Sequence, residues 1–312
     1  MTANTRFAAD AQFPAGVPHG ISVLAGLVGK AIGLSRSPAM HEAEGAAQGL
    51  RLTYRLFDTE VMGGTNPALS APSLAEIIRS AEICGFAGLN VTFPYKIEVL
   101  DHLDELSDAA RKVGAVNTVI FRNGKRYGHN TDMWGFAESF RQRLGEVAVG
   151  RVLQTGAGGA GGAVANALLD LGVQKLGVFD PDQARSAQLV ARLCEVHGQG
   201  RAELVCEIEK FVADGFDGVV NASPVGMAKH PGSPFPPDQL LRENWVADIV
   251  YFPIETPLLA AARDAGCRVM NGSGMALYQA VRAFELFTGI RPDASRMEAT
   301  FAAFDTTVSR KG

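Results

Sequence analysis

The hexapeptide Gly156-Ala157-Gly158-Gly159-Ala160-Gly161 follows an apolar run ending at Thr155 and opens a stretch of small residues. It fits G-x-G-x-x-G, in which the glycines let the backbone turn tightly, approach a pyrophosphate and aim helix N-terminal amides at it. Glycine-rich turns cap many helices, so the hexapeptide takes its meaning from the strand and helix that flank it. Asp180 stands 19 residues after Gly161, where this fingerprint places an acid on a ribose 2′-hydroxyl. No Arg or Lys follows Asp180 before Arg185, and the run Phe179-Asp180-Pro181-Asp182 would repel a 2′-phosphate. NAD is therefore the expected cofactor, with NADP disfavoured. Three polar clusters stand at strand-to-loop junctions, where an α/β fold opens side chains to a crevice. They are Ser35-Arg36-Ser37, the run Asn90-Val91-Thr92-Phe93-Pro94-Tyr95-Lys96, and Asn117 with the later Asn130-Thr131-Asp132.

Positioning these groups requires alternating β and α segments, the rhythm of a mostly parallel sheet. Strands are expected at Ile21 to Gly29, Leu52 to Phe57 and Ala87 to Val91. Ser37-Pro38 reads as a cap and first-turn proline opening a helix to about Gln48, and Ser73-Leu74-Ala75-Glu76 as a capping box for Leu74 to Cys84. Ile97 to Val113 reads as largely helical, and Val116 to Tyr127 as a hairpin turned at Asn123-Gly124. A second series runs from the helix Asp132 to Arg143, for which Asp132 is a candidate N-cap, through strands beginning at Arg151, Lys175, Glu203, Gly218, Trp245 and Arg268. Helices are expected at Gly159 to Leu171, Asp182 to Val196 and Thr256 to Ala265, and a strand-poor helical tail at Gly274 to Phe304. The pattern reads as two-domain α/β, with a doubly wound nucleotide-fold series as the second unit and a helical tail that either caps that unit or returns to pack on the first.

Of 312 residues, 47% are hydrophobic and 20% charged, the balance of a soluble globular chain. A chain beyond about 250 to 300 residues tends to split its core, which favours two domains. Lys and Arg total 29 against 33 Asp and Glu, for a net charge of −4, so the basic surface of a nucleic-acid binder is missing. Cys84, Cys194, Cys206 and Cys267 form no C-x-x-C pair, which speaks against a zinc site or disulfide framework and makes a reducing cytoplasm the default. No apolar run is long enough to span a bilayer, and Met1 to Gly20 reads as a loose leader rather than a signal peptide. His41 and His129 lack metal-ligand neighbours; His41 is expected on the helix after Pro38, either packing in the core or backing a residue that meets the substrate. The pair Glu42 and Glu44 is expected on a solvated face, and Trp134 and Trp245 in cores.

Taken together, S-x-S-P-x-M-H at Ser35 to His41, N-V-T-x-P-x-K at Asn90 to Lys96, G-A-V-N-T at Gly114 to Thr118 and N-T-D at Asn130 to Asp132 resemble the shikimate dehydrogenase family, including its quinate/shikimate branch. The similarity continues through the glycine-rich turn, Asn221-Ala222-Ser223-Pro224-Val225-Gly226-Met227, and Gly272 to Phe284, and covers roughly residues 20 to 290. It implies a substrate domain made of 1–131 plus 271–312 with a doubly wound Rossmann dinucleotide-binding domain, 132–270, inserted between, in which Ser35 and Ser37 bind a substrate carboxylate, Thr92, Asn117, Asp132 and Gln279 hold ring hydroxyls, and Tyr251 reaches the carboxylate from the other domain. Gly156, Ala157, Gly158, Gly159, Ala160, Asp180, Asn221, Ser223, Pro224, Met227 and Gly272 would line the cofactor. Lys96 and Asp132 would be the catalytic pair, since oxidising a secondary alcohol needs a base for its proton, and a lysine can serve where desolvation favours its neutral form. The implied activity is reversible, NAD-preferring oxidation of the 3-hydroxyl of shikimate, or of quinate, to the 3-dehydro ketone. Rivals are a dehydrogenase of a related polyol acid such as aminoshikimate, and a non-catalytic NAD-binding regulator, which has no need of a lysine beside a carboxylate. Arg36, between the two serines, could point to solvent or add a charge to the carboxylate site. The NADP-dependent members usually carry an Asn-Arg-Thr type of run where this chain has Phe-Asp-Pro-Asp. No metal, nucleic acid or membrane partner is expected, and a homodimer is left open.

Overall fold

A computed structural model of the chain describes residues 22–62 and 72–308. Ile21 and the expected leader lie outside them. The first half is built from β1 (Ser22–Gly29), α1 (Ser37–Ala47), β2 (Arg51–Asp58), α2 (Leu74–Ile83), β3 (Gly88–Val91), β4 (Glu105–Leu106), α3 (Asp108–Val113), β5 (Thr118–Arg122) and β6 (Lys125–His129). Its six strands run in the order β2-β1-β3-β5-β6-β4, with β1 parallel to β2 and β3, and β5 antiparallel to β3 and β6. The Ser73 capping box forms as expected, with Ser73 Oγ accepting Glu76 N–H and Glu76 accepting Ser73 N–H. Asn123 and Gly124 both take positive φ, the requirement of a two-residue hairpin turn.

Two expectations fail here. Ile97 to Val113 is not one helix but a short 3₁₀ segment, the strand β4 and then α3, because Asp104 N–H and Ser107 N–H donate to Arg126 and Gly128 carbonyls on β6. Glu44 is not on a solvated face: it is 1% exposed and clasped by Arg296 Nε and Nη2 at 2.8 and 2.9 Å, while Glu42 is exposed.

The chain then passes through α4 (Thr131–Arg143) into β7 (Arg151–Thr155), α5 (Gly159–Asp170), β8 (Lys175–Phe179), α6 (Gln183–His197), β9 (Ala202–Leu204), α7 (Ile208–Ala213), β10 (Gly218–Asn221), β11 (Trp245–Asp248), α8 (Pro257–Asp264) and β12 (Arg268–Met270). These six strands form an all-parallel sheet, β12-β11-β10-β7-β8-β9. The chain winds outward from β7 and returns on the other side at β10, so the switch point falls between β7 and β10. The return helices α9 (Ser273–Thr288) and α10 (Ala294–Val308) pack on the first half, with α9 also crossing α4. That crossing is close because a side chain at Gly135 would meet the α9 backbone at Gln279 N, 2.7 Å away. The expected domain boundary after residue 131 falls at the first residue of α4. No helix among the described residues is long and apolar enough to cross a membrane.

Trp245 is fully buried against Phe140, and Trp134 is half-buried against Tyr278. His41 is a core residue whose Nδ1 pairs with the Ser37 carbonyl at 2.9 Å, while Nε2 has no partner among the rings of Tyr54, Phe284 and Phe287. Burial lowers its pKa from 6.5 to about 4. The unfolded chain thus binds a proton between those values that the folded one refuses, so stability is full above pH 6.5 and is lost as pH falls towards 4. His41→Phe is expected to remove on the order of 3 kcal/mol of that acid-side loss, seen as a shallower fall of urea-unfolding free energy between neutral pH and pH 4. An unchanged slope would assign the acid sensitivity to other groups.

Candidate active site

A cleft of about 410 Å³ opens between the two halves and gathers residues from both. Ser35, Ser37, Thr92, Lys96, Asn117, Asp132, Tyr251 and Gln279, all expected at the substrate, line it, as do Ala160 and Gly272 from the expected cofactor set. At one end, α1 begins at Ser37 with Arg36, not Ser37, at the N-cap position and no side-chain cap. The expected capping role of Ser37 is therefore not taken up. Ser35 Oγ instead accepts Ser37 N–H at 3.3 Å, which leaves the Ser35 hydroxyl proton available to an anion at the positive end of a helix, while the Ser37 hydroxyl lies within hydrogen-bonding reach of the Tyr54 phenol.

Lys96 is placed by the turn after β3, where Tyr95 N–H donates to Thr92 O at 2.9 Å and Val116 N–H to Lys96 O at 2.8 Å. Its Nζ lies 2.6 Å from Asp132 Oδ2, with the two side chains only 21% and 11% exposed. The N-cap of α4 is Asn130, which accepts Met133 N–H at 3.0 Å. Asp132 thus sits inside the first turn with its carboxylate facing Lys96 rather than spent on capping. Asn117 accepts Thr131 N–H at 2.7 Å and donates to Thr131 Oγ1 at 2.9 Å, keeping its second amide hydrogen for a ligand. Gln279 donates to the Ala276 carbonyl at 3.1 Å, leaving its other N–H and its carbonyl oxygen.

The glycine-rich turn lies at the switch point, beside the loop after β10. Gly156 has φ +97°, and a side chain there would strike the Ala222 backbone at 2.6 Å, whereas one at Gly161 would enter the Gly156 carbonyl. Around Gly158 and Gly159 nothing lies within 4 Å of where a side chain would begin. One glycine makes the turn, one closes the helix onto the strand, and the open pair leaves room for a phosphate at the uncapped start of α5. The turn therefore fits a dinucleotide pyrophosphate. Asp180 Oδ2 accepts Ala157 N–H at 2.8 Å and Oδ1 accepts Asp182 N–H at 2.9 Å, so its carboxylate shapes the turn while each oxygen retains acceptor capacity. Asp182 caps α6, accepting Arg185 N–H.

Asn221 is wholly buried and its side chain is spent inside the protein, accepting from Ser223 and donating to Val225 O and Asp248 Oδ1. Its side chain folds the loop that carries Ser223, Pro224 and the 40%-exposed Met227, the residues expected beside it at the cofactor. Asp248 in turn accepts Val250 N–H and Thr256 Oγ1–H, which fixes the start of the Tyr251 loop, and burial pushes its carboxyl up to about 6.

Residues 27–119 match the family model of the shikimate dehydrogenase substrate binding domain, and 272–300 that of the shikimate 5′-dehydrogenase C-terminal domain. The chain is 47% identical over 290 residues to shikimate dehydrogenase (NADP(+)) of Streptomyces avermitilis, covering 92% of this chain and 98% of that one. The chain belongs to the shikimate dehydrogenase family. It is equally 47% identical over 283 residues to quinate/shikimate dehydrogenase (NAD(+)) of Corynebacterium efficiens, covering 90% of this chain and 98% of the relative. Quinate dehydrogenase from Corynebacterium glutamicum in complex with NAD superposes with a TM-score of 0.85 at 46% identity, covering 91% and 99% of the two chains. As a family member the chain is an NAD(P)-dependent oxidoreductase of the shikimate/quinate kind.

In this shikimate dehydrogenase family member two further residues line the cleft, Asn90, which the motifs included without a role of its own, and Met275, which they passed over. Asn90 had a signal, an amide ending a strand: it accepts Tyr54 Oη–H at 2.6 Å and donates to Thr118 Oγ1 at 2.9 Å, bracing the Asn117 segment. Met275 had none, being one apolar residue on an apolar helix. Among the described residues no cluster of His, Cys, Asp and Glu could hold a metal, and Arg36 turns to Phe301 on α10 rather than lining the cleft.

Proposed function

We propose that this chain is an NAD-preferring dehydrogenase that interconverts shikimate and its 3-dehydro ketone. The observation that carries the reading is the 2.6 Å contact of Lys96 Nζ with Asp132, both of which line the cleft. When bound, the nicotinamide dinucleotide takes or supplies the hydride. The neutral amine of Lys96 takes the hydroxyl proton as the alcohol is oxidised, and the ammonium so formed returns one to the carbonyl oxygen in reverse. Asp132 holds the amine in place through one of its hydrogens and accepts from the neighbouring ring hydroxyl. Ser35, Ser37 and Tyr251 grip the carboxylate, Asn117 and Gln279 meet the remaining hydroxyls, and the glycine-rich turn and the Ser223 to Met227 loop hold the cofactor. The test is formation of reduced nicotinamide with shikimate and with quinate, each supplied with NAD and with NADP; no turnover in any combination would overturn the reading.

Shikimate is expected to be the better substrate. Quinate carries an added hydroxyl on the carbon bearing the carboxylate, where the Ser35 and Ser37 hydroxyls are already engaged. A pocket rejects an added hydroxyl mainly by fit, so the preference is expected at about ten- to a hundredfold in kcat/KM. Ser37→Ala should raise shikimate KM about tenfold or more by removing a hydrogen bond to a charged group. Quinate turning over faster than shikimate at equal concentration would reverse the assignment while leaving the Lys96 chemistry intact.

A further inference from the structure

This inference rests on the dehydrogenase reading above and concerns how its carboxylate end is assembled. Helix α10 is fixed along α1 at two places. At its start, Glu44 of α1 accepts from Arg296 and from Asp293 N–H at 2.8 Å. Further along, Arg36, just before α1, donates to the Phe301 carbonyl at 3.1 Å and lays its guanidinium over the Phe301 ring, 4.5 Å from the centroid. Arg36 sits between the two cleft-lining serines, so this contact ties their loop to α10. Phe301 also touches Tyr251, at 6.2 Å between ring centroids and 58° between planes. Tyr251 comes from the loop after β11, on the nucleotide-binding side of the cleft. It is 46% exposed, and no hydrogen bond to a described residue holds its phenol.

We propose that Phe301 is a positioning residue for substrate binding, carrying the Ser35–Ser37 loop through Arg36 and setting the Tyr251 phenol against the same carboxylate. The Ser35–Ser37 loop and the Tyr251 loop then meet at one aromatic ring that does not itself line the cleft. Its loss should act on carboxylate binding and leave proton transfer at Lys96 and the glycine-rich turn alone.

The experiment is a double-variant cycle in the full-length enzyme, read as kcat, KM for shikimate, KM for NAD and Tm. Phe301→Met keeps the packing volume and loses the ring. It should raise shikimate KM about three- to tenfold, the scale of one aromatic pair, with kcat and the NAD KM within about twofold. Phe301→Tyr should restore KM. Tyr251→Phe keeps its ring and should raise KM about tenfold or more through loss of the hydroxyl. Adding Phe301→Met to Tyr251→Phe should then cost less than the product of the two single effects, because only the arm through Arg36 to the Ser35–Ser37 loop is left to lose. Multiplicative effects would overturn the proposal, as would an unchanged KM in Phe301→Met or a parallel fall of Tm, kcat and NAD affinity. Wild-type enzyme inert with shikimate would instead overturn the functional reading, and this inference with it.

Discussion

Lys96→Ala is expected to lower kcat by about 10²- to 10⁴-fold, the usual worth of a positioned general base, with a much smaller change in shikimate KM. The split follows from geometry. The lysine is fixed by its own backbone, through the Val116 and Thr92 contacts, and by Asp132 at 2.6 Å. Its amine is therefore placed before substrate arrives, and its largest contribution comes while the proton moves. Asp132→Asn should reduce kcat and raise KM together, because the carboxylate both aims Nζ and accepts from a substrate hydroxyl. Steady-state kinetics across pH checks both. Near-normal kcat for Lys96→Ala at every pH would place the base elsewhere in the cleft.

Features legible in the sequence were those whose cause is local. The glycine-rich turn, the Ser73 capping box and the Asn123-Gly124 hairpin each depend on a few adjacent residues, and each formed where the pattern placed it. What was not legible depends on distant partners. Glu44 has the sequence surroundings of a solvated helix face and is buried only because Arg296 arrives from 252 residues away. The segment 97–113 has helical composition, but pairing with β6 outweighs that propensity and inserts a strand in the middle. Within the site, the motifs picked out the side chains that line the cleft, whereas their supports were hidden. Asn130 rather than Asp132 caps α4, and Asn221 turns inward to Asp248, because a capping or bracing role is fixed by which neighbour competes for each hydrogen. Phe301 belongs with these supports: nothing in Thr300-Phe301-Ala302 marks it until α10 is laid along α1.

NAD is expected to be used with a kcat/KM at least about thirtyfold above that for NADP. Relatives equally identical to this chain carry either cofactor in their names, so overall similarity does not choose between them. Asp180 supplies a choice. Its carboxylate is pinned by the Ala157 and Asp182 amides at 2.8 and 2.9 Å, so it cannot swing away from a 2′-phosphate, and it keeps acceptor capacity for a ribose diol. Two unit charges about 4 Å apart repel by about 4 kcal/mol at an effective dielectric of about 20, and half of that surviving salt leaves roughly a thirtyfold penalty. The nearest following cation, Arg185, faces Asp182 at 3.5 Å, so its charge is already shared. Asp180→Asn should lower NAD efficiency, since an amide replaces one of two acceptors that shape the turn. The damage to the turn falls on both cofactors alike, so the ratio of the two efficiencies isolates the charge, and that ratio should move towards unity. Equal use of both cofactors by the wild type would refute the charge argument, and a ratio unmoved in Asp180→Asn would shift the discrimination to another group around the ribose.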